Sequence, residues 1–157
     1  MTETVATTPI PMDLYTAVIN NSITDVIRCL DTGTVDIDMK SGQHGSTPLI
    51  EAVSLYPRTN DIACLLLEKD ANPFQMNKQH DTALGIAASW GNVELVKIMT
   101  SVCGEVPTMS TNKNGYSAYD QAELMQHVCR NQPIKNAAFT EIMCKLEQYK
   151  RGSIVQV

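Results

Sequence analysis

Four alanines, Ala17, Ala52, Ala87 and Ala122, stand 35 residues apart, and Leu14, Leu49, Leu84 and Tyr119 keep the same step. A fixed period of that length means one supersecondary unit used repeatedly, because a single unit so short cannot bury its apolar face and must stack on its neighbours. Each alanine lies in a short apolar stretch that is followed by a second one. The second stretches are Val26–Leu30, Ile62–Leu67, Leu95–Met99 and Phe139–Leu146, and their apolar residues recur at helical spacing. The pattern predicts four units, each a short helix, a connection and a second helix. Gly, Asn and Asp separate them, in Lys40–Gly45, Asn77–Asp81 and Asn112–Gly115, where the chain can take positive φ at low cost. Those turns are too short to separate long strands, so a mainly helical fold without an independent sheet is expected.

Within the units, Thr47-Pro48-Leu49 with Ala52, Gly91-Asn92-Val93-Glu94-Leu95-Val96-Lys97, and Glu68-Lys69-Asp70-Ala71-Asn72-Pro73 carry a more specific signal. Together they resemble the ankyrin repeat, with its period of about 33 residues and its T-P-L-H-x-A signature. The resemblance runs from about Pro11 to Tyr149, and four units in register make it more specific than one Thr-Pro-Leu would be. It implies a solenoid of stacked helix-turn-helix units with β-hairpin loops, here divided at about 11–40, 41–76, 77–111 and 112–150. Residues 1–10, rich in Thr and Pro, are expected to form a disordered leader and 151–157 a flexible tail. Pro48 suits the first helical turn, and Thr47 is placed to cap it. Ile50, Gly85 and Asp120 stand where the repeat usually has His, so its polar bracing is expected to be missing. Asp70 stands for a Gly expected in the left-handed region. Tyr56–Asn60 and Val128–Lys135 are expected to lengthen the helix connections of the second and fourth units. The first and last units read as caps.

Composition narrows the function. Of 157 residues, 43% are hydrophobic and 18% charged, and the net charge is −5. The cations are scattered, whereas nucleic-acid binding needs them clustered. No apolar run approaches the roughly 20 residues of a membrane span, and the N-terminus lacks the apolar core of a signal peptide. The cysteines, Cys29, Cys64, Cys103, Cys129 and Cys144, are odd in number and form no C-x-x-C pair, which predicts reduced, buried thiols in a reducing, cytoplasmic compartment. Delivery into a host cell stays open as an alternative.

No catalytic motif emerges. Phosphate-cradling glycine loops and a G-x-S-x-G elbow are missing from the sequence. His127 and Cys129 are two residues apart and would face different sides of a helix. Asp120 and Glu123, one turn apart, read as a solvated helix face. His44 and His80 have no cysteines spaced for zinc. Asn20-Asn21-Ser22 fits a glycosylation pattern with no export signal to accompany it. Met99, Met125 and Met143 read as core filling. Val155-Gln156-Val157 could serve as a PDZ-type tail, though a frayed end is the plainer reading. Neither cofactor nor metal is expected.

The resemblance implies a non-enzymatic module that binds a protein through its concave face, made by the hairpin tips and the first helices. Carried onto this sequence, that face comprises Gln43, His44, Ser46, Ser54 and Leu55, then Lys78, Gln79, Asp81, Ser89 and Trp90, then Lys113, Asn114, Tyr116, Leu124 and Met125. Trp90 and Tyr116 stand out because Trp and Tyr are enriched at binding hot spots. Leu55, Trp90 and Met125 share a register and are expected to form an apolar strip. Such a module would act on its protein partner as scaffold, inhibitor or adaptor, as a monomer, with neither nucleic acid nor membrane as partner. An effector mimicking host ankyrin proteins and an enzyme with an unrecognised site are the alternatives.

Overall fold

The computed structural model describes residues 13–102 and 110–152. The expected leader at 1–10, Cys103 and the tail motif Val155–Val157 lie outside the described residues. Eight helices follow in order: α1 Leu14–Ile19, α2 Ile23–Asp31, α3 Pro48–Ser54, α4 Asn60–Glu68, α5 Ala83–Trp90, α6 Val93–Val102, α7 Ala118–Val128 and α8 Pro133–Gly152. They pair within each unit, and they also stack in two rows, α1, α3, α5, α7 and α2, α4, α6, α8. Mainly helical repeats with hairpin turns are the expected solenoid. The bridges among the described residues are isolated ones, Ser41 with Ser46 and Met76 with Thr82.

The first helices start where the sequence places a cap. The Thr47 side chain accepts from the Ile50 N–H at 3.2 Å and the Thr82 side chain from the Gly85 N–H at 3.1 Å, each satisfying a donor the helix leaves unpaired. In the fourth unit Ser117 does the same for Asp120, whose carboxylate accepts from the Ser117 N–H at 2.8 Å and the Ser117 hydroxyl at 2.7 Å. This capping box corrects the expectation that polar bracing is missing at that position: Asp120 supplies it, while Ile50 is buried instead. The four register alanines are fully buried, and so in effect are Leu14, Leu49 and Leu84. Small side chains at these sites let the rows approach closely.

Two turns show how the chain closes a unit. Gly91 ends α5 in the left-handed conformation, and a Cβ there would stand 3.1 Å from the Phe139 ring of α8. Asn92 follows, buried; its side-chain Oδ1 accepts from the Leu95 N–H at 3.1 Å and its side-chain Nδ2 donates to Asn60 Oδ1 at 2.7 Å, tying α6 to α4. Asp70 does take positive φ, at 65°. The fourth unit's extra residues do not all enter the connection, as the sequence suggested. α7 runs on to Val128, so the first helix gains nearly a turn, and Cys129–Gln132 joins it to α8. α8 continues to Gly152, taking in the first two residues of the expected tail.

At some register positions the two end units are polar where inner units are apolar, although Ile19, Ile23 and Ile27 at one end and Leu124, Val128 and Ile134 at the other remain exposed. Asp25 and Arg28, paired at 3.0 Å, occupy the register of Ile62 and Leu65. Asp120 and Glu123 occupy that of Ile50 and Val53. Polar outer faces of this kind are what terminal repeats need.

Candidate functional site

The hairpin turns run along one end of the first helices, and the helix–helix turns run along the other. An eight-residue helix such as α5 separates the two ends by about 12 Å. The residues carried over from the resemblance divide between these ends.

At the hairpin end the units are tied together. The Lys78 N–H donates to the His44 carbonyl at 2.9 Å, and one unit on, the Lys113 N–H donates to the Gln79 carbonyl at 2.9 Å. The Lys78 ammonium donates to the Gln43 carbonyl at 3.0 Å, and the Gln79 amide lies 3.3 Å from His44 Nδ1. Gln43, His44, Lys78, Gln79, Lys113 and Asn114 are exposed, but their backbone and several side chains are engaged in this ladder. Asp81 is half-buried, and its N–H donates to the Asn77 side chain at 2.9 Å. Tyr116, 43% exposed, stands at the last hairpin. The turns share one demand: Gly45, His80 and Gly115, each 35 residues from the next, have φ of 59°, 60° and 82°. His80 meets it without being glycine.

At the other end, Trp90 closes α5 and is 53% exposed. Its register neighbours differ from it. Leu55 is half-buried, and Met125 packs against the core. The apolar strip is therefore not the one expected, because Leu124, 50% exposed, takes the outward position on α7. Sequence reasoning missed Val128 and Ile134, at 70% and 86% exposed, which flank the α7–α8 turn. A signal existed: Asn131 and Pro133 mark the break, while Gln126-His127-Val128 has no turn former and continues the helix.

The titratable groups reflect packing. Desolvation and the Glu51 carboxylate push the Tyr15 phenol up, the two being joined by a 3.1 Å hydrogen bond. Burial pushes the Cys64 thiol up, with Glu94 and Asp61 adding to it, and raises Cys29 likewise, so these two thiols hold their protons more tightly than usual. Cys129 is buried at the end of α7, and His127 is exposed beside Arg130, at 3.1 Å. Cys144 is exposed, against the expectation of buried thiols, because it lies off the Phe139–Ile142–Leu146 stripe of α8. Among the described residues no three His, Cys, Asp or Glu side chains converge as metal ligands would, and no helix is long and apolar enough to cross a membrane.

The family model for the ankyrin repeat, a protein–protein interaction module, matches residues 44–78. No curated protein matches the chain. The matched stretch runs from one hairpin tip to the next, and the same helix pair, cap and turn recur on both sides of it. Residues 44–78 are thus an ankyrin repeat, set in an array of helix pairs of the same build.

Proposed function

We propose that the protein binds a partner protein, as scaffold, inhibitor or adaptor, through the face made by its hairpin turns and first helices. No bond is made or broken; recognition comes from a rigid surface. The observation that carries the reading is Trp90, 53% exposed at the end of an inner helix. A large aromatic held there contributes much contact area while losing little rotamer freedom on binding. Exposed Tyr116, at the hairpin end of the neighbouring unit, adds a second aromatic. The free thiols fit a reducing compartment such as the cytoplasm, and a monomer is the state expected of it.

Trp90 is the single tryptophan, so the test is direct. Acrylamide should quench its fluorescence in the free protein. Trp90→Ala should then leave the melting temperature within a few degrees of wild type while weakening affinity capture of the partner from the source cell. A shielded Trp90, or capture indifferent to Trp90→Ala and Tyr116→Ala together, would overturn the reading.

A further inference from the structure

The three hairpin tips meet one backbone demand with three different residue pairs. His44-Gly45, Gln79-His80 and Asn114-Gly115 hold the same place in the 35-residue step, and the second residue of each takes positive φ. Asn114-Gly115 is the single Asn-Gly pair in the chain. That pair carries a chemistry the other two lack. The side-chain amide carbon of an asparagine is an electrophile within reach of the next residue's backbone nitrogen, and attack closes a five-membered succinimide ring. A glycine in the next position leaves that nitrogen free to approach, because no side chain crowds it. Gln79 would have to close a six-membered ring, which forms far more slowly, and His44 has no amide to lose.

The fold leaves the last tip open. Asn114 is exposed, and among the described residues no hydrogen bond holds its side-chain amide. A Cβ at Gly45 would stand 3.3 Å from Lys78 of the next unit, whereas one at Gly115 would meet nothing within 4 Å. The His44 and Gln79 carbonyls each accept an N–H from the next unit at 2.9 Å. Asn114 stands at the same register, and among the described residues no unit follows the fourth, so this tip is braced on one side only. Its own bonds remain. The Gly115 N–H donates to the Asn112 carbonyl at 2.9 Å, and Asn112 Oδ1 accepts from the Asn114 and Tyr116 N–H groups at 3.0 and 3.1 Å. The attacking nitrogen is therefore held until the tip opens, and exposed edges fastened by a few hydrogen bonds open at low cost.

We infer that Asn114 is a site of spontaneous covalent modification, losing its side-chain amide through a succinimide closed with Gly115. The Gly115 nitrogen gives its proton to solvent and bonds to Asn114 Cγ. The Cγ–Nδ2 bond breaks, and the amide nitrogen takes up a proton and leaves as ammonia. One water then opens the ring at either carbonyl, giving aspartate or isoaspartate. Both products set a carboxylate beside the exposed Lys113, and isoaspartate adds a carbon to the main chain inside the Asn112–Gly115 turn. The change thus falls on the last rung of the hairpin ladder, from Lys113 to Gln79. It needs no partner, so it stands apart from the protein-binding function proposed above.

The test is peptide mapping by mass spectrometry on the full chain, aged at neutral and mildly basic pH, with isoaspartyl methyltransferase labelling any isoaspartate. Asn114 should lose its amide before every other asparagine, faster at the higher pH, with isoaspartate formed alongside aspartate. The few hydrogen bonds of the tip should slow the folded protein about 5–30-fold relative to the chain unfolded in urea. Asn112→Ala, which unties two of those bonds, should bring the folded rate toward the unfolded one. Gly115→Ala should suppress the loss in both states, so a folding defect in that variant would not hide the result. Another asparagine converting first would overturn the assignment. So would an Asn114 that stays intact in the folded protein while the unfolded chain converts fully, aspartate without isoaspartate, or a Gly115→Ala rate equal to wild type.

Discussion

Truncating Leu84 to alanine tests the stacking register at its centre. Leu84 is 2% exposed on α5, with α3 on one side, α7 on the other and α6 behind. Removing three carbons forfeits about 2.4 kcal/mol at roughly 0.8 kcal/mol per buried CH₂. A cavity term of about 1–2 kcal/mol adds to this, because helices held on three sides collapse only partly into the void. The expected loss is about 3–4 kcal/mol, a large part of the roughly 5–15 kcal/mol that holds a domain of this kind together. With a urea m-value of about 2 kcal/mol/M, the denaturation midpoint should fall by about 1.5–2 M with m unchanged. Lys78→Ala is the control. Its ammonium makes one exposed hydrogen bond to the Gln43 carbonyl, so its loss should stay below about 1 kcal/mol. Equal midpoint shifts for the two variants would refute the register and with it the assignment of Leu84 to the stacked face.

His80→Gly should stabilise the protein by about 0.5–1 kcal/mol: relief of the left-handed penalty of roughly 1–2 kcal/mol exceeds the added backbone entropy of glycine. A lower midpoint in urea, or the same gain from His80→Ala, would show that His80 carries no such penalty. Burial, with Asp36 close by, raises the Asp38 carboxyl above its usual range, although the Asn72 N–H donating to it at 3.0 Å pulls the other way. Raised in the folded state, this carboxylate costs stability once ionised, and the cost fades as pH falls through the folded pKa. Asp38→Asn, which keeps an acceptor for Asn72, should therefore raise the melting temperature at pH 7, with the gain disappearing below about pH 4; a gain that grows on acidification would contradict the assignment.

The sequence made the repeat legible because stacking leaves a strict demand at a fixed step. Only small side chains fit where Ala17, Ala52, Ala87 and Ala122 lie, and only a capping side chain serves at Thr47, Thr82 and Ser117, so the period survives in the residues themselves. Exposure was less legible. A 35-residue step equates Met125 with Trp90, yet Met125 is an unbranched chain that bends onto the core while Trp90 is anchored beside a left-handed glycine. The extra turn of α7 was hidden because a lengthened helix and a lengthened loop have the same count of residues; the placement of Asn131 and Pro133 alone distinguishes them. His80 was hidden for a different reason. Its conformation is set by Gly45 and Gly115 on either side in the stack, and an imidazole gives no local sign of it.

The two ends of the first helices divide the work of the fold between them. At the hairpins, each unit passes a backbone hydrogen bond to the next, from Lys78 to His44 and from Lys113 to Gln79, and this fixes the spacing of the stack. The backbone groups so engaged are committed to the ladder, and it is the exposed side chains of Gln43, Lys113 and Asn114 that face outward there. At the helix–helix turns the units are joined mainly by packing and by the part-buried Asn60–Asn92 contact, and the side chains outside that contact carry no such duty. Trp90, Val128 and Ile134 can therefore be exposed there without weakening the register. The same division explains why a rigid surface can be varied at one end while the period is kept at the other: substitution at the turn rim alters what the surface attracts, and substitution at the alanines or hairpins alters whether the surface exists.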